Sequence, residues 1–100
     1  MIKIFGTIEK IFPTEIKGNG FEKRIFWLKD NDEKFPNTFQ LECWKADTPM
    51  LDSYSVGDKV TCYIDLKGKL FPGRDGEDKV TNSMKCWNIE KEGKTWKKML

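Results

Sequence analysis

Two stretches between Phe21 and Trp44 decide how this chain folds. They are Phe21-Glu22-Lys23-Arg24-Ile25-Phe26-Trp27-Leu28-Lys29 and Thr38-Phe39-Gln40-Leu41-Glu42-Cys43-Trp44. Side chains alternate across a strand, so residues two apart share a face. In the first stretch Phe26 and Leu28 share one face, and Phe21, Lys23, Ile25, Trp27 and Lys29 share the other. In the second, Phe39, Leu41 and Cys43 face one way, and Thr38, Gln40, Glu42 and Trp44 face the other. One face of such a pair is core, and the other is free to meet something else.

Working outward, the first strand is predicted over Ile2 to Phe12, with Ile2, Ile4, Gly6 and Ile8 inward. A glycine inside a strand marks a bulge or sharp bend, which a small barrel needs. Pro13 to Gly20 forms the first loop, and Phe21 to Lys29 is the second strand. The acidic run Asp30-Asn31-Asp32-Glu33 with Pro36 makes a turn into the third strand, which ends at Trp44. Thr48 before Pro49 has the pattern of a helix N-cap with proline at the first helical position, so one short helix is expected within 46–54. The fourth strand turns Val60, Cys62, Ile64 and Leu66 to one side and Thr61, Tyr63, Asp65 and Lys67 to the other. Gly68 to Asp78 contains Pro72-Gly73 and Asp75-Gly76, both turn signals, and reads as a long hairpin loop tipped by Phe71 and Arg74. The fifth strand spans Val80 to Ile89, with Met84 and Cys86 inward.

Five strands with one helix between the third and fourth is the order of the OB-fold. This all-β, partly open Greek-key barrel binds ligands on its strand 2–3 face and between its 1–2 and 4–5 loops. Residues 1–91 make that domain, and 92–100 a short basic tail. One hundred residues, 38% of them hydrophobic, suffice for one modest core.

The net charge of +2 excludes a strongly cationic coat for duplex DNA. Its distribution is uneven: residues 1–29 carry six basic and three acidic side chains, 30–58 two and seven, 59–100 ten and six. Both ends folded onto one side would make a local positive groove, although a mixed solvated surface fits the same counts. Cys43, Cys62 and Cys86 have neither zinc-ligand nor redox-motif spacing, and no histidine completes a metal set. They read as small core residues, and an odd count suits a reducing compartment. No stretch has signal-peptide or membrane-spanning character, so a cytoplasmic protein without membrane, metal or cofactor is expected.

The chain also resembles a family of small bacterial and bacteriophage OB-fold proteins of unknown function that are related to single-stranded DNA-binding proteins. The resemblance lies in Gly6-Thr7-Ile8, Phe21-Glu22-Lys23, Phe26-Trp27-Leu28, Phe39-Gln40-Leu41-Glu42-Cys43-Trp44 with Asp47, Val56-Gly57-Asp58-Lys59-Val60 and Cys86-Trp87-Asn88-Ile89-Glu90. It implies the same barrel and the same class of ligand. The chain departs from it at Arg74-Asp75-Gly76-Glu77-Asp78-Lys79, where family members carry aromatics. It departs again at the end, where four lysines and two glutamates stand in the last eleven residues instead of an acidic tail.

An outer face of aromatics flanked by lysines suits flat, negatively charged partners such as unstacked bases. Trp27 is the leading candidate for stacking, with Lys29 beside it; a subunit interface would use the same residue. Phe21 and Lys23 together can hold one base and one phosphate, or simply close the first loop. Trp44 either joins them or packs under Met50 and Leu51 of the helix. Phe71 and Arg74 can close over a bound strand, since arginine both stacks and binds phosphate. Lys3, Lys10, Lys69, Lys79 and Lys85 are further phosphate contacts. Trp87 faces away from Met84 and Cys86, toward Phe5 or another subunit. Catalysis has little basis without a histidine, and the acids of 30–33 solvate a turn. The expected function is sequence-independent binding of single-stranded DNA. An oligomeric assembly module and a single-stranded RNA binder are the alternatives.

Overall fold

The structure is a computed structural model and describes residues 1–91; the basic tail of 92–100 lies outside the described residues. Its strands are β1 (Ile2–Ile11), β2 (Glu15–Ile16), β3 (Glu22–Asp30), β4 (Thr38–Trp44), β5 (Lys59–Pro72) and β6 (Asp78–Lys91). A 3-10 helix, Lys45–Ser53, follows β4. The sheet order is β1-β5-β6-β4-β3-β2, and β1 also pairs with β3, so five long strands close into a ring. All ladders are antiparallel except the single parallel contact of β4 with β6 at Glu42 and Lys85. This is the predicted five-stranded OB barrel, with β2 as a two-residue addition to β3 inside the first loop.

The alternation of the sequence sets the core. Phe26 and Leu28 of β3, Leu41 and Cys43 of β4, and Ile8 of β1 are fully buried. Val60, Cys62 and Ile64 of β5, Cys86 and Ile89 of β6, and Leu51 of the helix complete the cluster. Phe26 pairs with Leu41 and Leu28 with Phe39, so the β3–β4 ladder is in the register that buries both apolar faces. Ile2, expected inward, lies at the open start of β1 and is half exposed.

Barrel closure depends on two separate features of β1, where the sequence suggested one. At Gly6 the backbone of β3 comes so close that an added Cβ would lie 2.2 Å from the Lys29 carbonyl oxygen, so no side chain fits at this seam. Between Ile8 and Lys10 the ladder skips Glu9, a bulge that bends the strand. The first half of β1 then pairs with β5 and the second with β3.

The helix begins earlier than Thr48-Pro49 suggests. Trp44 is the N-cap, with no side-chain capping bond, and Thr48 is buried inside the helix with its hydroxyl donating to the Lys45 carbonyl at 3.0 Å. Three-residue turns explain the difference. Pro49 therefore lies inside the 3-10 helix and not at its first position, and its missing N–H leaves one three-residue-turn bond unmade.

The predicted 68–78 loop is mostly strand. The β5–β6 ladder runs from Val60 and Lys91 to Pro72 and Asp78, leaving a five-residue turn, Gly73 to Glu77. The Gly73 N–H donates to the Glu77 carbonyl at 2.7 Å, and Gly76 takes a left-handed φ of 83°. Beyond Ile64 on β5 and Lys85 on β6 the two strands have no further strand neighbour among the described residues, and the hairpin leaves the barrel as a two-stranded arm.

Cys43, Cys62 and Cys86 are fully buried. Hydrogen bonding with the Cys86 thiol, together with burial, holds the Cys43 thiol well above the usual range. All three are expected to resist a thiol reagent in native buffer at neutral pH and to react fully in denaturant. Rapid native labelling of all three would reverse the inward and outward faces of β4, β5 and β6.

Candidate nucleic-acid interface

The outward face of β3 and β4 carries two separate aromatic clusters. The first is built on Trp27. Phe12, just past β1, is held by donating its N–H to the Ile25 carbonyl at 3.0 Å and by accepting the Arg24 Nε–H at 2.9 Å. Arg24 also pairs with Asp52 at 2.7 Å, tying this corner to the helix. Phe12 then meets Trp27 edge to face, with ring centroids 5.1 Å apart. The Lys10 ammonium lies 4.8 Å from the Phe12 centroid and 5.2 Å from that of Trp27. The Trp27 indole N–H donates to Gln40 Oε1 at 3.2 Å, which fixes the tilt of the ring. Lys29 is exposed two residues further along the same face.

The second cluster is built on Phe21 and Trp44. Phe21 follows a tight turn in which Gly20 has φ 83° and Asn19 Oδ1 accepts the Phe21 N–H at 3.0 Å. Its ring meets Trp44 edge to face at 5.5 Å. The Trp44 indole donates to Glu42 Oε1 at 2.8 Å, and the same carboxylate oxygen lies 4.0 Å from the Lys23 ammonium. The ammonium of Lys85 lies 5.5 Å from the Trp44 centroid, and that of Lys45 5.9 Å from the Phe21 centroid. Trp44 therefore turns to the open face and not beneath the helix, where Leu51 fills the core.

The arm completes this second cluster. A groove of about 430 Å³ runs between Phe21, Lys23, Glu42 and Trp44 on one side and Lys67, Lys69, Thr81 and Ser83 on the other. It joins a polarisable floor to three ammonium groups within one concavity. Phe21, Lys23 and Trp44 are thus brought together, and Trp27 with Lys29 forms a neighbouring station on the same face. Phe71 is half-buried on β5 opposite Lys79, and Arg74 is exposed in the turn; neither lines the groove.

Phe12, Gln40, Lys45 and Lys67 escaped the sequence reading of the site. Lys67 was readable, because the outward alternation of the fourth strand continues through it to Lys69. Phe12 was not, since its place beside Trp27 depends on the bulge at Glu9 and on Arg24.

Outside both clusters, Trp87 packs on Tyr63 with centroids 5.3 Å apart, and Phe5 is half-exposed on β1. Lys3 sits over Tyr63 and does not line the groove. The acids of 30–33 build a turn: Asp30 accepts from Asn37 and from the Asp32 N–H, and Asp32 accepts from the N–H groups of Lys34 and Phe35. The Asn37 side chain and backbone bonds hold the Asp30 carboxyl below its ordinary value. Among the described residues no group of three or more histidine, cysteine or acidic side chains is placed to hold a metal ion. No helix among them is long and apolar enough to cross a membrane.

A family model described as "Domain of unknown function (DUF3127)" matches residues 3–90. No curated protein matches the sequence. Among solved structures, the mitochondrial single-stranded DNA binding protein Rim1 of S. cerevisiae superposes with a TM-score of 0.69 at 17% identity, over 91% of this chain and 92% of Rim1. The second single-stranded DNA binding protein, SSBb, of Mycobacterium smegmatis gives 0.61 at 14%, over 94% and 89%. The small single-stranded DNA-binding protein of Streptomyces coelicolor gives 0.57 at 17%, over 94% of each chain. At such identities the likeness establishes the fold.

Proposed function

We propose that this chain, which belongs to the family described as a domain of unknown function (DUF3127), binds single-stranded DNA with little sequence preference. The observation that carries this reading is the groove in which Phe21, Trp44 and Lys23 face Lys67 and Lys69. Aromatic faces stack any base, and ammonium groups follow the backbone between bases. Trp27, Phe12 and Lys10 supply a second station of the same kind on the same sheet face. The solved structures of this fold named above are single-stranded DNA-binding proteins, which agrees with the reading. Glu42 has a supporting role: its carboxylate orients the Trp44 indole and is offset by Lys23.

Homo-oligomerisation is compatible with this activity, because the exposed Phe5 and Trp87 belong to neither aromatic cluster nor the groove. RNA shares the stacking chemistry, so the binding experiment carries an RNA arm.

Anisotropy titrations with labelled single-stranded DNA, single-stranded RNA and a duplex of equal length test the proposal. Single-stranded DNA is expected to bind most tightly, because paired bases hide the faces that the aromatics need. Equal affinity for the duplex would remove the stacking model, and tighter binding of RNA would reassign the partner. Each neutralised phosphate on a single strand contributes a slope of about 0.7 in log K against log salt. The few lysines beside the aromatics then give a slope of roughly 2–4. A much steeper slope would leave the aromatics without a role.

A further inference from the structure

Each tryptophan of the interface has its indole N–H held by a side chain of β4. Trp27 donates to Gln40 Oε1 at 3.2 Å, and Trp44 donates to Glu42 Oε1 at 2.8 Å. The two acceptors differ in charge. A neutral amide oxygen is enough to orient Trp27, so orienting Trp44 does not by itself call for a carboxylate. Glu42 is also the one acidic side chain among the described residues that line the groove, beside Lys23, Lys67 and Lys69. A negative charge there opposes the phosphates that the lysines attract.

This carboxylate has an oxygen to spare. Glu42 Oε1 takes the indole N–H and lies 4.0 Å from the Lys23 ammonium, too far for a hydrogen bond. Among the described residues nothing donates to Glu42 Oε2. The side chain is only 13% exposed, yet no fully buried side-chain oxygen of the described residues lacks a partner. Oε2 is therefore the part of Glu42 that is open to the groove. The ladder sets Glu42 opposite Ile25, between the Lys23–Trp44 and Trp27–Gln40 pairs. A base laid on Trp44 or Phe21 thus brings its polar edge to this oxygen. A carboxylate oxygen only accepts. Adenine, cytosine and guanine can meet it with an exocyclic amino group, as glutamate meets the N4 of cytosine in duplex readout. Thymine has only its N3–H, set between two carbonyl oxygens that repel a carboxylate.

We infer that Glu42 reads the exocyclic amino group of the base held at Trp44, so that this position takes adenine, cytosine or guanine and disfavours thymine. The inference rests on the proposed DNA binding and leaves the general sequence preference small. The aromatics stay indifferent to the base, and only one base is read. A strand of mixed sequence shifts its register to bring an amino-bearing base to Glu42. Only a tract of thymine alone offers no such register.

Cytosine and uracil isolate the contact, because they share a ring and differ in the 4-amino or 4-oxo group and the proton on N3. The full chain is titrated by anisotropy at neutral pH with labelled oligo-dC and oligo-dU of equal length. Wild type is expected to bind oligo-dC about tenfold more tightly, near the lower end of what a polar base contact discriminates. Glu42→Gln keeps an oxygen for the Trp44 indole and turns an amide NH₂ to the base. It is expected to abolish or invert the preference, while the lost negative charge raises affinity for both oligonucleotides. A Glu42 that only orients Trp44 would leave the ratio of the two affinities unmoved. Thermal melting checks the fold of the variant. Oligo-dC with N4,N4-dimethylated bases, which lacks the amino hydrogens, tests the same contact on wild type and should bind no better than oligo-dU. If neither oligonucleotide binds, the DNA reading falls and this inference falls with it. If wild type binds both equally, the DNA reading stands and the role of Glu42 is overturned. A preference for oligo-dC that survives both Glu42→Gln and dimethylation would overturn it as well.

Discussion

Phe26→Ala is expected to lower the stability of the domain by about 3–5 kcal/mol, the usual cost of emptying a core aromatic site. Trp27→Ala, one residue later, is expected to lower DNA affinity by about 1–3 kcal/mol, the contribution of one stacked base. Phe26 is fully buried opposite Leu41, among side chains from every long strand of the barrel. Trp27 is half-buried on the outer face, and its loss costs the fold mainly one edge contact with Phe12, about 0.5–1.5 kcal/mol. Denaturant unfolding and anisotropy on the two variants separate the effects, because the residues are adjacent and differ in direction. If Trp27→Ala leaves affinity intact but dissociates an oligomer, this residue belongs to assembly. If Phe26→Ala is nearly neutral for stability, the assignment of faces on β3 is wrong.

Much of the fold was legible because period-two alternation is read directly from the chain. Phe26, Leu28, Leu41, Cys43, Val60, Cys62 and Cys86 alternate without interruption, and all are buried. The helix boundary was less legible, because Thr48-Pro49 is a strong local capping pattern. A tighter 3-10 geometry beginning at Lys45 overrode it. The arm was hidden by its own turn chemistry. Pro72-Gly73 and Asp75-Gly76 lie so close together that a whole loop seemed to surround them, although Lys67 to Phe71 and Val80 to Ser83 keep strand alternation. Within the candidate site, residues of one strand could be grouped from sequence, as Phe21 and Lys23 were, whereas Trp44 was left between that group and the helix. Groups joined only by three-dimensional closure could not: Phe12 reaches Trp27 through a bulge, and Lys67 reaches Trp44 through the reach of the arm. Charge totals were of little help, since the positive groove coexists with a net charge of +2.

The double variant Trp27→Ala/Trp44→Ala is expected to lose about 2–6 kcal/mol of single-stranded DNA affinity, the sum of two stacking losses. The ladder sets Trp44 beside Lys23, four residues from Trp27 along β3, or about 13 Å at the rise of an extended strand. Sites that far apart without shared partners contribute additively to within a few tenths of a kcal/mol. Their partners are indeed distinct: Trp27 has Phe12, Lys10 and Gln40, and Trp44 has Phe21, Lys85 and Glu42. One strand crossing both stations would therefore feel each loss in full. A double variant no weaker than Trp44→Ala would show that the strand passes through the groove alone and that Trp27 stands off its path. A double variant no weaker than Trp27→Ala would assign the groove to something other than DNA. Losses well beyond the sum would mean that the two stations are coupled through the sheet, which thermal melting of the double variant would reveal as a loss of fold.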